Sequence, residues 1–93
     1  MIRAIIQYES EPDPVRYEQH IADFVPAVEC KAFRHGKVIG MPFGKPAYSY
    51  YAEFEWDDKE SFDAAVRSDA FAASGKDAMA MGIPFTVHFV AIE

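Results

Sequence analysis

The sequence predicts an α+β sandwich in which helices cover one face of a four-stranded antiparallel sheet, in the order β-α-β-β-α-β. Three observations predict it. Four segments read as strands, with two-residue alternation plainest over 2–8 and 47–56. Segments with helical spacing and capping residues stand between the first and second of these and between the third and fourth. Pro- and Gly-rich turns separate them, with no repeat, linker or low-complexity tract.

At the N-terminus, Ile2, Ala4, Ile6 and Tyr8 alternate against Arg3, Ile5 and Gln7, which gives a strand with one apolar and one mixed face. The turn Glu11-Pro12-Asp13-Pro14 starts a helix. Asp13 is placed to cap the first backbone N–H groups, and Pro14 suits the first helical position. In residues 15–28, Tyr17, Ile21, Phe24, Val25 and Val28 form one stripe, and Pro26 ends or kinks the helix. Residues 29–39 read as the second strand, with Gly36 marking a bulge or bend.

Residues 40–46 form a loop with two Gly and two Pro. It lacks the strand–Gly-rich–helix context of a phosphate cradle and reads as a lid or an interface loop. Residues 47–56 are the most strongly β, with Tyr48, Tyr50, Ala52, Phe54 and Trp56 alternating against Ser49, Tyr51, Glu53 and Glu55. Asp57 and Glu60 have capping-box spacing, and the helix after them is expected to bury Phe62, Ala65 and Val66. A second helical piece is capped by Ser68, packs through Phe71, Ala78 and Met79, and is stopped by Gly82 and Pro84. The last strand sets Phe85, Val87, Phe89 and Ala91 against Thr86, His88, Val90 and Ile92, so both of its faces are mainly apolar.

This is a ferredoxin-like order on a chain of 93 residues, expected to be one domain over 1–93. A chain of this length hides only about 60–65% of its unfolded surface, so a partner subunit would help it. Eight Phe, five Tyr and one Trp exceed what so small a core easily hides, which points to a pocket or an interface. A net charge of -6 and no Lys/Arg cluster disfavour nucleic acid as a partner. No apolar run is long enough to span a membrane, and the first residues read as a strand rather than a signal peptide. Cys30 is the only cysteine, which rules out an intrachain disulfide and suits a reducing, cytoplasmic setting.

Two helical segments can cover only one face of such a sheet. The other face is expected to carry Ile5, Val90, Ile92 and large aromatics, which would be unsafe in water. A second copy packed sheet to sheet solves this as a homodimer, and the space between the sheets becomes a pocket for a small apolar or aromatic ligand.

Tyr17-Glu18-Gln19-His20 and the run from Trp56 to Phe71 (WDDKESFDAAVRSDAF), with the element order and the apolar last strand, carry a family resemblance over nearly the whole chain. The sequence resembles the EthD-like group of the dimeric α/β-barrel superfamily, which also holds small antibiotic-biosynthesis-type monooxygenases and muconolactone isomerase-like enzymes. The resemblance implies a dimeric α/β barrel and cofactor-independent chemistry, of isomerase, cyclase or monooxygenase type, on a small organic molecule in catabolism or secondary metabolism. A non-catalytic ligand-binding or accessory dimer is the alternative. Family members often carry a second His about five residues after the first, before a Pro; here Phe24 and Val25 precede Pro26, so that group is not carried over.

The candidate catalytic residues are His20 and His88. Histidine changes charge near neutrality and can shuttle a proton. His20 lies about 60° from the centre of its helical stripe at roughly 100° per residue, which makes it a boundary residue at the pocket mouth. The plainer alternative is a His bonded to a backbone carbonyl or to water. His88 is the one strongly polar residue in an apolar strand and shares a face with Val90 and Ile92. If buried it needs a partner, for which Glu53, Tyr51 or Gln7 are candidates. Gln7, Tyr17, His35, Tyr51 and Trp56 form the candidate substrate-binding set, the aromatics by stacking on a planar molecule. Three scattered His make no metal site, and no cofactor motif is present. Cys30 has no visible activating neighbour and receives no role.

Overall fold

The computed structural model describes residues 1–93. The strands are β1 (Ile2–Tyr8), β2 (Ala32–Lys37), β3 (Tyr50–Trp56) and β4 (Phe85–Ala91). The helices are α1 (Pro14–Phe24), followed by a 3-10 turn at Val25–Ala27, then α2 (Lys59–Val66) and α3 (Asp69–Ala80). The strands make one antiparallel sheet in the order β2-β3-β1-β4, so β2 and β4 are its free edges. This is the expected α+β ferredoxin-like fold.

The register divides the sheet into two faces. Ala4 pairs with Phe54 and Phe89, and Ile2 pairs with Trp56 and Ala91; this face meets the helices. Ala4, Val28, Phe54, Trp56 and Ala65 form the buried core, with Phe33, Phe62 and Phe71 packed against it. Ala4 and Ala52 are fully buried. Their small side chains let the helical layer come close over the middle of the sheet.

Local signals placed the helix starts. Asp13 Oδ2 accepts from the Arg16 N–H at 3.0 Å, and Ser68 Oγ accepts from the Phe71 N–H at 3.2 Å. The α2 cap is Asp58, one residue later than expected, accepting from the Ser61 N–H at 2.8 Å. Ser68→Ala is expected to cost about 1 kcal/mol, read as a lower urea midpoint at unchanged slope, with Ser68→Asp recovering most of it.

Other expectations need correction. β2 and β3 are shorter than predicted, and Gly36 pairs with Tyr51 in regular register, so it makes no bulge. Met79 is 71% exposed rather than packed, because α3 turns Ser74 and Ala78 inward instead. In α1 the buried residues are Tyr17 and His20, while Ile21, Phe24 and Val25 are only half-buried.

The open face also differs from the expectation. Tyr51 is its only large aromatic, because alternation sends Tyr50, Phe54 and Trp56 to the helical side. Its centre is a charged network. Arg3 Nε donates to Glu55 Oε1 at 3.2 Å, and Arg34 Nη1 donates to Glu53 Oε2 at 2.8 Å. Tyr51 Oη donates to Glu53 Oε1 at 3.1 Å. Both glutamates are buried although no helix lies over them, since the two arginines cover them. Ile5, Val90 and Ile92 fringe this network.

Candidate functional site

A cavity of about 240 Å³ lies between the sheet and the helices α1 and α3. Phe33, Phe54, Phe71, Phe85, Val87 and Phe89 supply its apolar walls, and Tyr8, Tyr17, His20 and Ser74 gather its polar groups. Val87 and Phe89 are 42% and 54% exposed, because the helical layer does not fully cover the β4 edge; the cavity opens there. The volume lies a little below the usual range for drug-sized ligands, which suits a small one.

His20 is held by a residue that sequence reasoning missed. Its Nδ1 lies 2.7 Å from Asp77 Oδ2 on α3. Arg16, one helical turn before His20, donates from Nη2 to Asp77 Oδ1 at 2.8 Å and from Nη1 to Oδ2 at 3.1 Å. Asp77 therefore ties α1 to α3. The Arg16 hydrogen bonds, with the His20 bond behind them, hold the Asp77 carboxyl below the usual carboxylate range against the opposing effect of burial. An ionised carboxylate only accepts, so His20 carries its proton on Nδ1 and leaves Nε2 as a free acceptor. The ring of His20 stacks on Tyr17, with centroids 5.6 Å apart.

Beside it stand two phenols. Burial pushes the Tyr17 hydroxyl far above the ordinary phenol range, and the neighbouring Tyr8 adds to this. Tyr8 is raised as well, by burial first, although its hydrogen bond with Tyr17 opposes the shift. Both stay protonated; Tyr17 donates to Tyr8, which leaves the Tyr8 hydroxyl proton for a ligand. The polar end of the cavity thus combines one proton acceptor, His20 Nε2, with a phenolic donor.

The other predicted site residues divide between two faces. His35 packs edge-on against Tyr17 and its Nδ1 lies 2.6 Å from Tyr50 Oη, outside the cavity wall. Trp56 is core: its Nε1 donates to the Glu29 carbonyl at 2.7 Å and its ring is sealed by Phe54 and Phe62. Gln7, Tyr51 and His88 lie on the open sheet face, with Gln7 opposite Tyr51 and His88 opposite Ile5. His88 is exposed within the chain, and Glu53 is already taken by Arg34 and Tyr51. The sheet separates His20 from His88, so they do not share one pocket. His20 is buried by α3 instead of standing at a boundary.

A larger cleft of about 480 Å³ opens to solvent at the other end of the fold, between Glu29, Cys30 and Lys31 and the start of α2. Lys31 Nζ pairs with Asp57 Oδ1 across it at 2.8 Å, and it holds no comparable arrangement of acid, base and apolar wall. Burial raises the Cys30 thiol, which makes it a poor nucleophile.

No family model matches the chain, and no curated protein matches it in sequence. Solved structures do. An ethyl tert-butyl ether D (EthD) family protein from Bacillus halodurans aligns over 100% of this chain and 99% of its own, at 25% identity and a TM-score of 0.77. The chain shares the ferredoxin-like fold of this EthD family protein. A dimeric ferredoxin-like protein of unknown function from Jannaschia sp. CCS1 matches at 18% identity over 98% of each chain, with a TM-score of 0.73. A cofactor-independent oxygenase from Streptomyces nogalater matches at 17% identity and a TM-score of 0.63, over 98% of this chain and 91% of its own. No helix is long and apolar enough to cross a membrane.

Proposed function

We propose that the protein binds a small, largely apolar or aromatic organic molecule in the cavity between α1, α3 and the sheet, and moves a proton on it without a cofactor. The observation that carries this is the His20–Asp77 contact of 2.7 Å at the polar end of an otherwise apolar cavity. A buried His with one nitrogen fixed by a carboxylate and the other free is arranged as a general base. Tyr8, which accepts from Tyr17, donates to the oxygen on which negative charge develops when a neighbouring C–H is deprotonated. The relative described as a cofactor-independent oxygenase supports chemistry of this kind on the fold.

The dimeric relatives support a homodimer, and we assign its interface to the open sheet face, which no helix covers. Arg3 and Arg34 balance Glu53 and Glu55 there, so this patch is neutral on a chain of net charge -6 and a second copy meets no repulsion at it. His88, Gln7 and Tyr51 then act at the interface between sheets. The single free thiol of Cys30 suits a reducing, cytoplasmic compartment.

A second reading keeps the cavity as a carrier site. Arg16 engages both oxygens of Asp77, which weakens the carboxylate as a support for an imidazolium. One experiment separates the readings. A panel of phenols, enolisable ketones and lactones is incubated with the protein in D2O, and exchange at acidic C–H positions is followed by NMR. Exchange by the wild type and none by His20→Gln is the expected result. Binding without exchange leaves the carrier, and no binding of any member in the cavity sinks both readings.

A further inference from the structure

We infer that the loop between β2 and β3 of one copy docks in an apolar groove at the mouth of the other copy's cavity, so that each site is completed by the partner chain. This rests on the homodimer proposed above. The root of the loop, residues 38–49, is fixed. The Val38 N–H donates to the Ser49 carbonyl at 3.0 Å, and the Ser49 N–H donates to the Tyr8 carbonyl at 2.8 Å. Ser49 Oγ donates to the Glu9 carbonyl at 3.0 Å. Beyond this root the apolar side chains touch little: Ile39 and Phe43 are 101% and 87% exposed, and Met41 is 51% exposed. Pro42 and Pro46 stiffen the tip, and Gly44 at φ +75° makes a turn that other residues rarely adopt. A stiff loop that presents three large apolar side chains to water has the character of a docking element.

A groove of matching character lies along Met79, Gly82, Ile83, Pro84 and Phe85. Phe85 also lines the cavity, so the groove adjoins its mouth. The strand order brings the two together. A two-fold axis running along the strands between facing sheets sets the β2 edge of one copy beside the β4 edge of the other and keeps strand direction. The loop leaves β2 at Lys37, at the end of the sheet where Tyr50, Tyr8 and Phe85 lie in line. It therefore arrives at the first residue of the partner's β4. Within one chain the β2 root of the loop and the β4 start of the groove lie on opposite edges, three strand spacings or about 14 Å apart, while the other root, Ser49, is tied to Tyr8 and Glu9.

Charge agrees with this placement. Residues 38–49 contain Lys45 and no acidic residue, on a chain of net charge -6. Glu9 borders the groove, its N–H donating to the Pro84 carbonyl at 2.9 Å, and it offers Lys45 a partner. The two-fold makes every such contact twice.

Cysteine pairing tests the docking. In a Cys30→Ser background, copies carrying Phe43→Cys are mixed with copies carrying Ile83→Cys and oxidised mildly, while sedimentation of the unmodified chain reports its assembly. A disulfide-linked dimer formed in the mixture and scarce with either copy alone is the expected result. A dimer by sedimentation with no cross-link overturns the docking and leaves the homodimer standing, whereas a monomer overturns both. As Phe43 is exposed in the single chain, Phe43→Ser should fold, and it should raise the dimer dissociation constant at least about tenfold. An unchanged constant also overturns the docking.

Discussion

Trp56→Ala is expected to cost about 3–5 kcal/mol, a large part of the roughly 5–15 kcal/mol that holds a typical domain folded. The ring is 2% exposed, stacks on Phe54 at 5.9 Å and meets Phe62 edge-on at 5.3 Å. Truncation leaves a hole among rigid aromatic neighbours, which cannot collapse into it. It also strips the Glu29 carbonyl of the indole N–H that now bonds to it at 2.7 Å. Trp56→Phe separates the two effects: it keeps most of the packing and loses the hydrogen bond, for about 1–3 kcal/mol. Urea unfolding of each variant at several protein concentrations measures this while accounting for linkage to assembly. An alanine variant within about 1 kcal/mol of the wild type would show that the ring is not core. The expectation that Trp56 stacks on a ligand would then return.

Which residues were legible follows from how far apart their causes lie. The bounds of β1 and the caps Asp13 and Ser68 depend on neighbours within a few positions, and the structure agrees with them. β2 is shorter than the expected 29–39 because its ends are set by pairing with β3, and Gly36 pairs in register instead of making a bulge. His20 was read as a boundary residue because a helical stripe accounts for one helix only, and its partner Asp77 stands 57 residues away. A signal was present in α3: Ser74, Asp77 and Ala78 have the i, i+3, i+4 spacing of one face, and an acid there needs a partner. Glu53 and Glu55 read only as the polar side of a strand, with Glu53 a candidate partner for His88; only the register brings Arg3 and Arg34 over them. The sides of β3 were open for the same reason, since alternation separates Tyr51 from Trp56 but does not say which of them meets the helices.

Asp77→Asn and His20→Gln are expected to lower proton exchange on a bound substrate by about 10²–10⁴-fold. His20→Gln removes the acceptor. Asp77→Asn acts through it: an amide can donate to Nδ1 as readily as accept from it, so the tautomer with a free Nε2 loses its preference. Arg16 then faces an imidazole with no negative charge between them, which disfavours the imidazolium formed on taking a proton. Stability against pH gives an independent reading. The folded pKa of Asp77 is depressed by Arg16 and His20, so the unfolded chain takes up its proton first. The stability this carboxylate contributes is present above the unfolded value near 4 and is lost as pH falls through the folded value. Urea midpoints of wild type and Asp77→Asn should therefore keep their gap from neutrality down to about pH 4 and converge only as pH falls further, through the folded value. A gap that stays constant through that fall would mean that Asp77 makes no pH-dependent contribution. Exchange that survives His20→Gln would move the base elsewhere while leaving the Asp77 link between α1 and α3 a purely structural one.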